Sequence, residues 1–200
     1  MKETRKGMLM VISGPSGTGK GTLAARLLAD DPTFSFSVSA TTRAPRENEV
    51  DGVHYHFLSD AEYDKLLEED AFLEHASVHG NRYGTLKSEV EKRIEAGTNV
   101  LLDIDPQGAL NVMAKVPDCV SVFILPPSYS VLKARLVGRG TESEADVERR
   151  TRNASGEIEK MNRYQYIIVN DQLEAAYAQL SAIVTAEKQR ATRYFPVIEA

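Results

Sequence analysis

Four runs of apolar, largely β-branched residues stand out along the chain: Leu9–Ile12, Val100–Leu102 continuing to Ile104, Val120–Leu125 and Tyr166–Val169. Each is nearly continuous rather than alternating, the pattern of strands in a parallel sheet covered on both faces. Two stretches with helical spacing go with them. Thr22–Ala29 sets Leu23, Leu27 and Leu28 on one side, and Leu173–Arg193 repeats Leu173, Ala176, Tyr177, Leu180, Ile183 and Val184 on another. Asp171 stands just ahead of the second as a candidate N-cap. Strand and helix in alternation predict an α/β doubly wound fold, a parallel sheet flanked by helices.

Two segments break that rhythm. From Phe34 to about Lys92 the pattern shortens to small alternating stretches (Phe36-Val38 and Val53-Tyr55-Phe57), a turn at Glu49–Gly52 and a helix at Asp60–Glu69. This predicts an α+β insertion. From Ser128 to about Arg163 the chain is rich in Arg and Glu and poor in large apolar residues, with a loop at Gly138–Ser143, predicting surface helices. The chain therefore reads as a single domain, 1–200, with a core of 8–33, 93–127 and 164–200. The insertion spans about 34–92 and the helical excursion about 128–163.

The strongest local chemistry is Gly14-Pro15-Ser16-Gly17-Thr18-Gly19-Lys20, which follows an apolar strand and opens a helix. Glycines there let backbone N–H groups turn inward around phosphate oxygens, the helix N-terminus adds its positive dipole end, and Lys20 supplies a full charge. This is a P-loop of the NTPase type, so Gly14 through Thr22 are candidate ATP-binding residues. The position after the lysine, ordinarily a Ser or Thr whose hydroxyl reaches Mg²⁺, is Gly21, with Thr22 one place later. Val100-Leu101-Leu102-Asp103 ends an apolar strand in a carboxylate suited to orient hydrated Mg²⁺, although a turn or cap role would also suit Asp103. Thr22 and Asp103 are thus the candidate metal residues, largely through water.

Composition narrows the classes. The chain has 200 residues, 42% hydrophobic and 26% charged, and no apolar run of the roughly 18 residues a membrane span needs. A net charge of −5 argues against non-specific nucleic-acid binding, which requires a basic surface. The charged MKETRKG start and the short apolar run Met8–Ile12 give no secretory signal, so the cytoplasm is the default location. Cys119, the single cysteine, sits in an apolar run and reads as a buried small hydrophobe.

The insertion carries the acceptor chemistry. Ser37-Val38-Ser39-Ala40-Thr41-Thr42-Arg43-Ala44-Pro45-Arg46 sets two guanidinium groups three residues apart among hydroxyls, a combination able to grip phosphate. The segments SGPSGTGK, SVSATTRAPR, GVHYHF, NRYGT, LLDIDPQG, GRGT and IVND occur in the order and spacing of guanylate kinases, which the chain resembles over about residues 8–190. The GKGT stretch alone also resembles adenylate kinases; the double-arginine and LDIDPQG segments are what distinguish the two.

That resemblance implies a nucleoside-monophosphate-binding insertion, a helical lid, and transfer of the γ-phosphoryl group of ATP to GMP, with dGMP as a further acceptor and Mg²⁺ as cofactor. It implies that Arg43, Arg46, Tyr55 and Tyr83 hold the GMP phosphate and that Ser39, Glu74, Thr85 and Asp105 read guanine. It also implies that Arg135, Arg139 and Arg150 close over the phosphates, joining Lys20, Arg43 and Asp103 in catalysis. Arg150 has charged neighbours in Arg149 and Arg152, so a solvated helix face is its alternative. Asn170 matches a family position near the closed site. The partners implied are the two nucleotides, and a homodimer is compatible with the chain.

Overall fold

A computed structural model gives the fold; the residues described are 3–78, 80–138 and 144–198. In chain order the elements are β1 (Glu3–Arg5), β2 (Leu9–Ser13), α1 (Lys20–Asp30), β3 (Phe34–Phe36), β4 (Ala40–Thr41), β5 (His56–Phe57), α2 (Asp60–Glu68), β6 (Phe72–Val78) and β7 (Asn81–Leu86). There follow α3 (Lys87–Glu95), β8 (Asn99–Asp103), α4 (Pro106–Lys115), β9 (Val120–Leu125), α5 (Tyr129–Val137), α6 (Glu144–Ile158), a 3₁₀ turn at Glu159–Arg163, β10 (Tyr166–Val169), α7 (Leu173–Lys188) and β11 (Tyr194–Pro196).

The continuous apolar runs form the expected parallel sheet, in the order β10-β9-β2-β8-β3. All five residues of β2 are buried, because helices cover both faces. Met10 and Ile12 pack with Leu23 and Leu27 of α1 and Leu180 of α7, while Leu9 and Val11 pack with Val90 of α3 and Val112 of α4. Each such side chain contributes about 1.5–3 kcal/mol on burial. The core therefore fixes the carboxyl ends of β2 and β8 side by side. The strand order turns outward on either side of β2, and α/β sheets bind ligands in the crevice at such a point.

Phe34–Phe36, read from sequence as the start of the insertion, is instead the edge strand of this sheet, paired in parallel with β8. Beyond it the insertion makes its own sheet, β5-β4-β7-β6, packed on Tyr63 and Phe72. Ser59 caps α2 with a complete capping box to Glu62. The second excursion is not purely superficial: Leu132 and Leu136 of α5 bury a small core with Val147 and Ala154 of α6.

Three local expectations change. The first long helix starts at Lys20, not Thr22, because the glycine turn ends at Gly19. The last helix stops at Lys188, and its N-cap is Gln172 without a side-chain bond, so Asp171 does not cap it. Residues 190–193 turn the chain so that β11 can pair antiparallel with β1, a two-stranded sheet with no sequence signal. Arg193, 2% exposed, locks that turn by donating to Glu187 at 2.6 Å and to the Asp118 carbonyl at 2.6 Å. Cys119 is buried as expected, and burial pushes its thiol up to about 11.

Candidate active site

The turn after β2 has the backbone its sequence demands. Gly14, Gly17 and Gly19 have φ of 137°, 88° and 91°, values that disfavour any side chain. A Cβ on Gly14 would lie 2.3 Å from the Ile124 carbonyl oxygen, and one on Gly19 would lie 2.3 Å from Asn170 Nδ2. Asn170, buried at 5% exposure, donates from Nδ2 to the Thr18 carbonyl at 2.8 Å, and Thr18 Oγ1 donates to the Pro15 carbonyl at 2.9 Å. Lys20 Nζ donates to the Gly14 and Pro15 carbonyls at 2.6 and 3.0 Å, so its charge lies across the mouth of the loop. A cleft of about 230 Å³ opens there, lined by Ser16, Gly17, Gly19, Lys20, Gly21 and Asp103.

A second cleft, about 300 Å³, lies between the core and the insertion and includes Ser39, Tyr55, Glu74, Thr85, Asp103 and Ile104 in its lining. Asp103 thus belongs to both clefts. On the insertion side, Arg43 is held near two tyrosines. Its Cζ is 5.4 Å from the Tyr55 ring centroid, its guanidinium interacts with the Tyr83 hydroxyl, and the two tyrosine rings meet edge-on at 6.1 Å. Arg46 stays exposed at the rim.

Beside Glu74, Thr85, 1% exposed, donates to Oε1 at 2.7 Å. Asp105 does not line this cleft. Its Oδ1 accepts from the N–H groups of Gln107 and Gly108 at 2.7 and 2.9 Å and caps α4. Even so, Glu74 and Asp105 flank the same glycine: a Cβ on Gly108 would be 3.5 Å from Glu74 Oε2 and 3.8 Å from Asp105 Oδ1.

The remaining residues divide by position. A third cleft, about 300 Å³, extends past the phosphate loop and holds Thr22, Arg135, Asn170 and Asp171. Arg135 donates to the Asn170 carbonyl at 2.9 Å and the Asp171 carbonyl at 3.3 Å. Thr22 lines this third cleft, which shares Gly17 and Gly19 with the phosphate-loop cleft that Asp103 lines. Arg150 NH1 donates to Ser16 Oγ at 2.9 Å, so α6 already touches the phosphate loop. Arg139 lies outside the described residues.

Electrostatics follow from crowding. Desolvation raises the Glu74 carboxyl above its ordinary value and Asp105 adds to the rise, while Thr85 opposes it. Desolvation also raises Asp103, with Lys20 pulling it back. Two carboxylates named by neither motif complete the picture. Glu157 near the end of α6 is raised by burial while Lys20 draws it down. Glu49 takes both amino groups of Arg43 at 2.9 and 2.8 Å and is held down to about 2 by that guanidinium. In the sequence Glu49 showed only as part of a turn; its spacing of three from Arg46 and six from Arg43 was the available signal.

A parallel sheet whose first inner strand ends in a phosphate-cradling loop, with a second cleft one carboxylate away, defines the class of P-loop kinases acting on a small acceptor. Comparisons with known proteins narrow it. Residues 6–187 match the family model described as guanylate kinase. A guanylate kinase of Clostridium perfringens strain SM101 is 50% identical over 191 residues, covering 96% of this chain and 88% of that protein. One from Clostridioides difficile strain 630 is 44% identical over 194 residues, covering 97% and 95%. The crystal structure of guanylate kinase from Anaplasma phagocytophilum superposes with a TM-score of 0.70 at 33% identity, covering 96% of this chain and 92% of that one. The chain belongs to the guanylate kinase family. It is an enzyme, transferring the γ-phosphoryl group of ATP to GMP.

Proposed function

We propose that the cleft at Lys20 holds the ATP phosphates, that the cleft beneath the insertion holds GMP, and that transfer occurs beside Asp103. The observation carrying this reading is that Asp103 lines both clefts, so that phosphate groups in each would meet at one point. Ser16 and the N–H groups of Gly17, Thr18, Gly19, Lys20 and Gly21 cradle the donor phosphates, and Lys20 leaves the Gly14 and Pro15 carbonyls to meet them. Arg135, with Asn170 and Asp171, lies toward the nucleoside half of ATP, and Thr22 shares that region.

Arg43, Arg46, Tyr55 and Tyr83 take the GMP phosphate, an oxygen of which is the nucleophile. That phosphate is largely dianionic near neutrality, its second pKa being about 6, so no general base is needed. Glu74 and Asp105 accept hydrogen bonds from the N–H donors of guanine, while Ser39 supplies a hydroxyl for its carbonyl, as does Thr85 once its hydroxyl turns away from Glu74. Adenine would leave these groups unpaired. The same contacts suit dGMP, which differs only at the ribose. Alignment and charge from Lys20, Arg43, Arg150 and the lid's Arg139 then supply the catalysis.

Magnesium fits the donor set. A Cβ on Gly21 would lie 3.5 Å from Asp103 Oδ2, so the small residue leaves room beside that carboxylate. Mg²⁺ that enters with a nucleotide is held mainly by phosphate oxygens and water, with one or two carboxylates. Asp103 would hold it through water; Thr22, lining a different cleft, is the weaker candidate. When bound, the ion neutralises charge on the transferring phosphates.

A homodimer is compatible with this reading. Among the described residues no helix is long and apolar enough to cross a membrane, and the reading places the reaction in the cytoplasm. Steady-state kinetics of Arg43→Ala test the assignment. The GMP KM should rise at least tenfold with the ATP KM little changed; equal losses for both nucleotides would put this arginine elsewhere.

A further inference from the structure

We propose that Glu49 is a positioning residue for GMP, holding Arg43 and the Arg46 loop in the geometry that receives the acceptor phosphate. This rests on the assignment of Arg43 to that phosphate. The Glu49 carboxylate does two things at once. Oε2 accepts from Arg43 NH1 at 2.9 Å and from the Arg46 backbone N–H at 2.7 Å, while Oε1 accepts from Arg43 NH2 at 2.8 Å. The Glu49 N–H returns a bond to the Arg46 carbonyl at 3.0 Å, closing the turn from the other side. Arg43 NH1 also donates to the Ala44 carbonyl at 2.8 Å.

The geometry of guanidinium makes the consequence specific. Its five N–H groups form two forks, one between NH1 and NH2 and one between NH2 and Nε. Glu49 fills the first fork, and Ala44 takes the outer hydrogen of NH1. Apart from its interaction with the Tyr83 hydroxyl, what remains is the Nε edge, so Glu49 determines which fork Arg43 can present to a phosphate. The pair is largely shielded, with side-chain exposures of 17% for Arg43 and 16% for Glu49, and the carboxylate stays ionised throughout the neutral range. A guanidinium fixed beforehand loses less freedom when phosphate arrives.

A carboxylate on an arginine fork also resembles a bound phosphate, which defines the contrary role. If Glu49 merely occupied the acceptor site, removing it would strengthen GMP binding. The two roles predict opposite signs.

The test compares Glu49→Ala, Glu49→Gln, Arg43→Ala and the Arg43→Ala/Glu49→Ala double variant. Each is measured for GMP KM, ATP KM, kcat and competitive inhibition by guanosine, which lacks the phosphate. Glu49→Ala should raise the GMP KM about tenfold and leave the ATP KM and the guanosine inhibition constant within about twofold. Glu49→Gln, which keeps an acceptor oxygen, should recover part of the loss. Added to Arg43→Ala, the Glu49 change should do little more. A lower GMP KM, or equal weakening of GMP and guanosine, would overturn the proposal. If Arg43→Ala itself spares GMP, the acceptor-site reading fails; if only the Glu49 variants do, the positioning role fails alone.

Discussion

Replacing Glu74 by glutamine isolates base recognition from phosphate chemistry. The carboxylate sits against Thr85, whose hydroxyl donates to Oε1 at 2.7 Å, and Oε2 faces Gly108 at the base end of the acceptor cleft. Guanine brings two neighbouring N–H donors to such an edge, and a hydrogen bond to a charged group is worth about 1.5–3 kcal/mol. At 1.36 kcal/mol per tenfold, kcat/KM for GMP should fall roughly 10- to 150-fold. AMP, which offers no matching ring N–H, should change little, so the preference narrows by a similar factor.

Stability should move the other way. Burial holds the Glu74 carboxyl above its ordinary value, so the folded protein keeps this proton to higher pH than the unfolded chain. The ionised group therefore opposes folding at neutral pH, and its penalty fades as pH falls through the raised pKa. Glutamine removes the charge, and the melting temperature at pH 7 should equal or exceed that of the parent. ADP release coupled to NADH oxidation, with GMP and AMP as acceptors, measures the preference; thermal melts measure the rest. An unchanged GMP-to-AMP ratio would refute the assignment of Glu74 to the base.

Other perturbations probe separate parts. Lys20→Met should nearly abolish turnover while leaving the melting temperature close to wild type, and near-normal activity would rule out the phosphate-loop assignment. Gly19→Ala should eliminate ATP binding in calorimetry, because φ is 91° and the new Cβ would meet Asn170 Nδ2 at 2.3 Å. Glu187→Ala removes the buried carboxylate that faces Arg193 at 2.6 Å and leaves that guanidinium only Asp118, which should cost about 1–3 kcal/mol and lower the melting temperature by a few degrees; an unchanged melting temperature would contradict it. Asp70, held down to about 2 by Lys115 and Lys87, joins the start of α3 within the insertion to α4 of the core. Its contribution is complete above the ordinary carboxylate range near 4 and lost as pH falls toward 2. The gap in melting temperature between wild type and Asp70→Asn should close over that window, and a constant gap would dismiss the linkage.

Much of this arrangement was legible in the chain because local chemistry and fold agree there. Leu9–Ile12 followed by alternating glycines and Lys20 can hardly be anything but a buried strand, a phosphate turn and a helix start. Continuous apolar runs gave the parallel sheet for the same reason. What was hidden depends on contacts between distant segments. Phe34–Phe36 is too short to declare which sheet it joins, and its pairing with β8 decides that. The β1–β11 pair is made by ends nearly the whole chain apart. Asp105 followed by Pro106 is a strong start signal for α4, but the same aspartate lies in the LDIDPQG segment, where its resemblance to a guanine-reading position competes with the cap. Glu49 looked like a turn residue because nothing local says that its carboxylate faces an arginine six positions earlier. Thr22, two residues after Lys20, lines the neighbouring cleft that Arg135 shares, a placement that sequence spacing alone does not give.

Two clefts that meet at Asp103 are proposed to hold donor and acceptor with their phosphates in contact. Calorimetric titration with a dinucleotide joining adenosine and guanosine through a chain of phosphates addresses that contact directly. One molecule should bind per chain, exclude both ATP and GMP, and lose affinity in both Lys20→Met and Glu74→Gln. Binding that leaves either nucleotide able to enter, or that only one of the two substitutions weakens, would contradict the account.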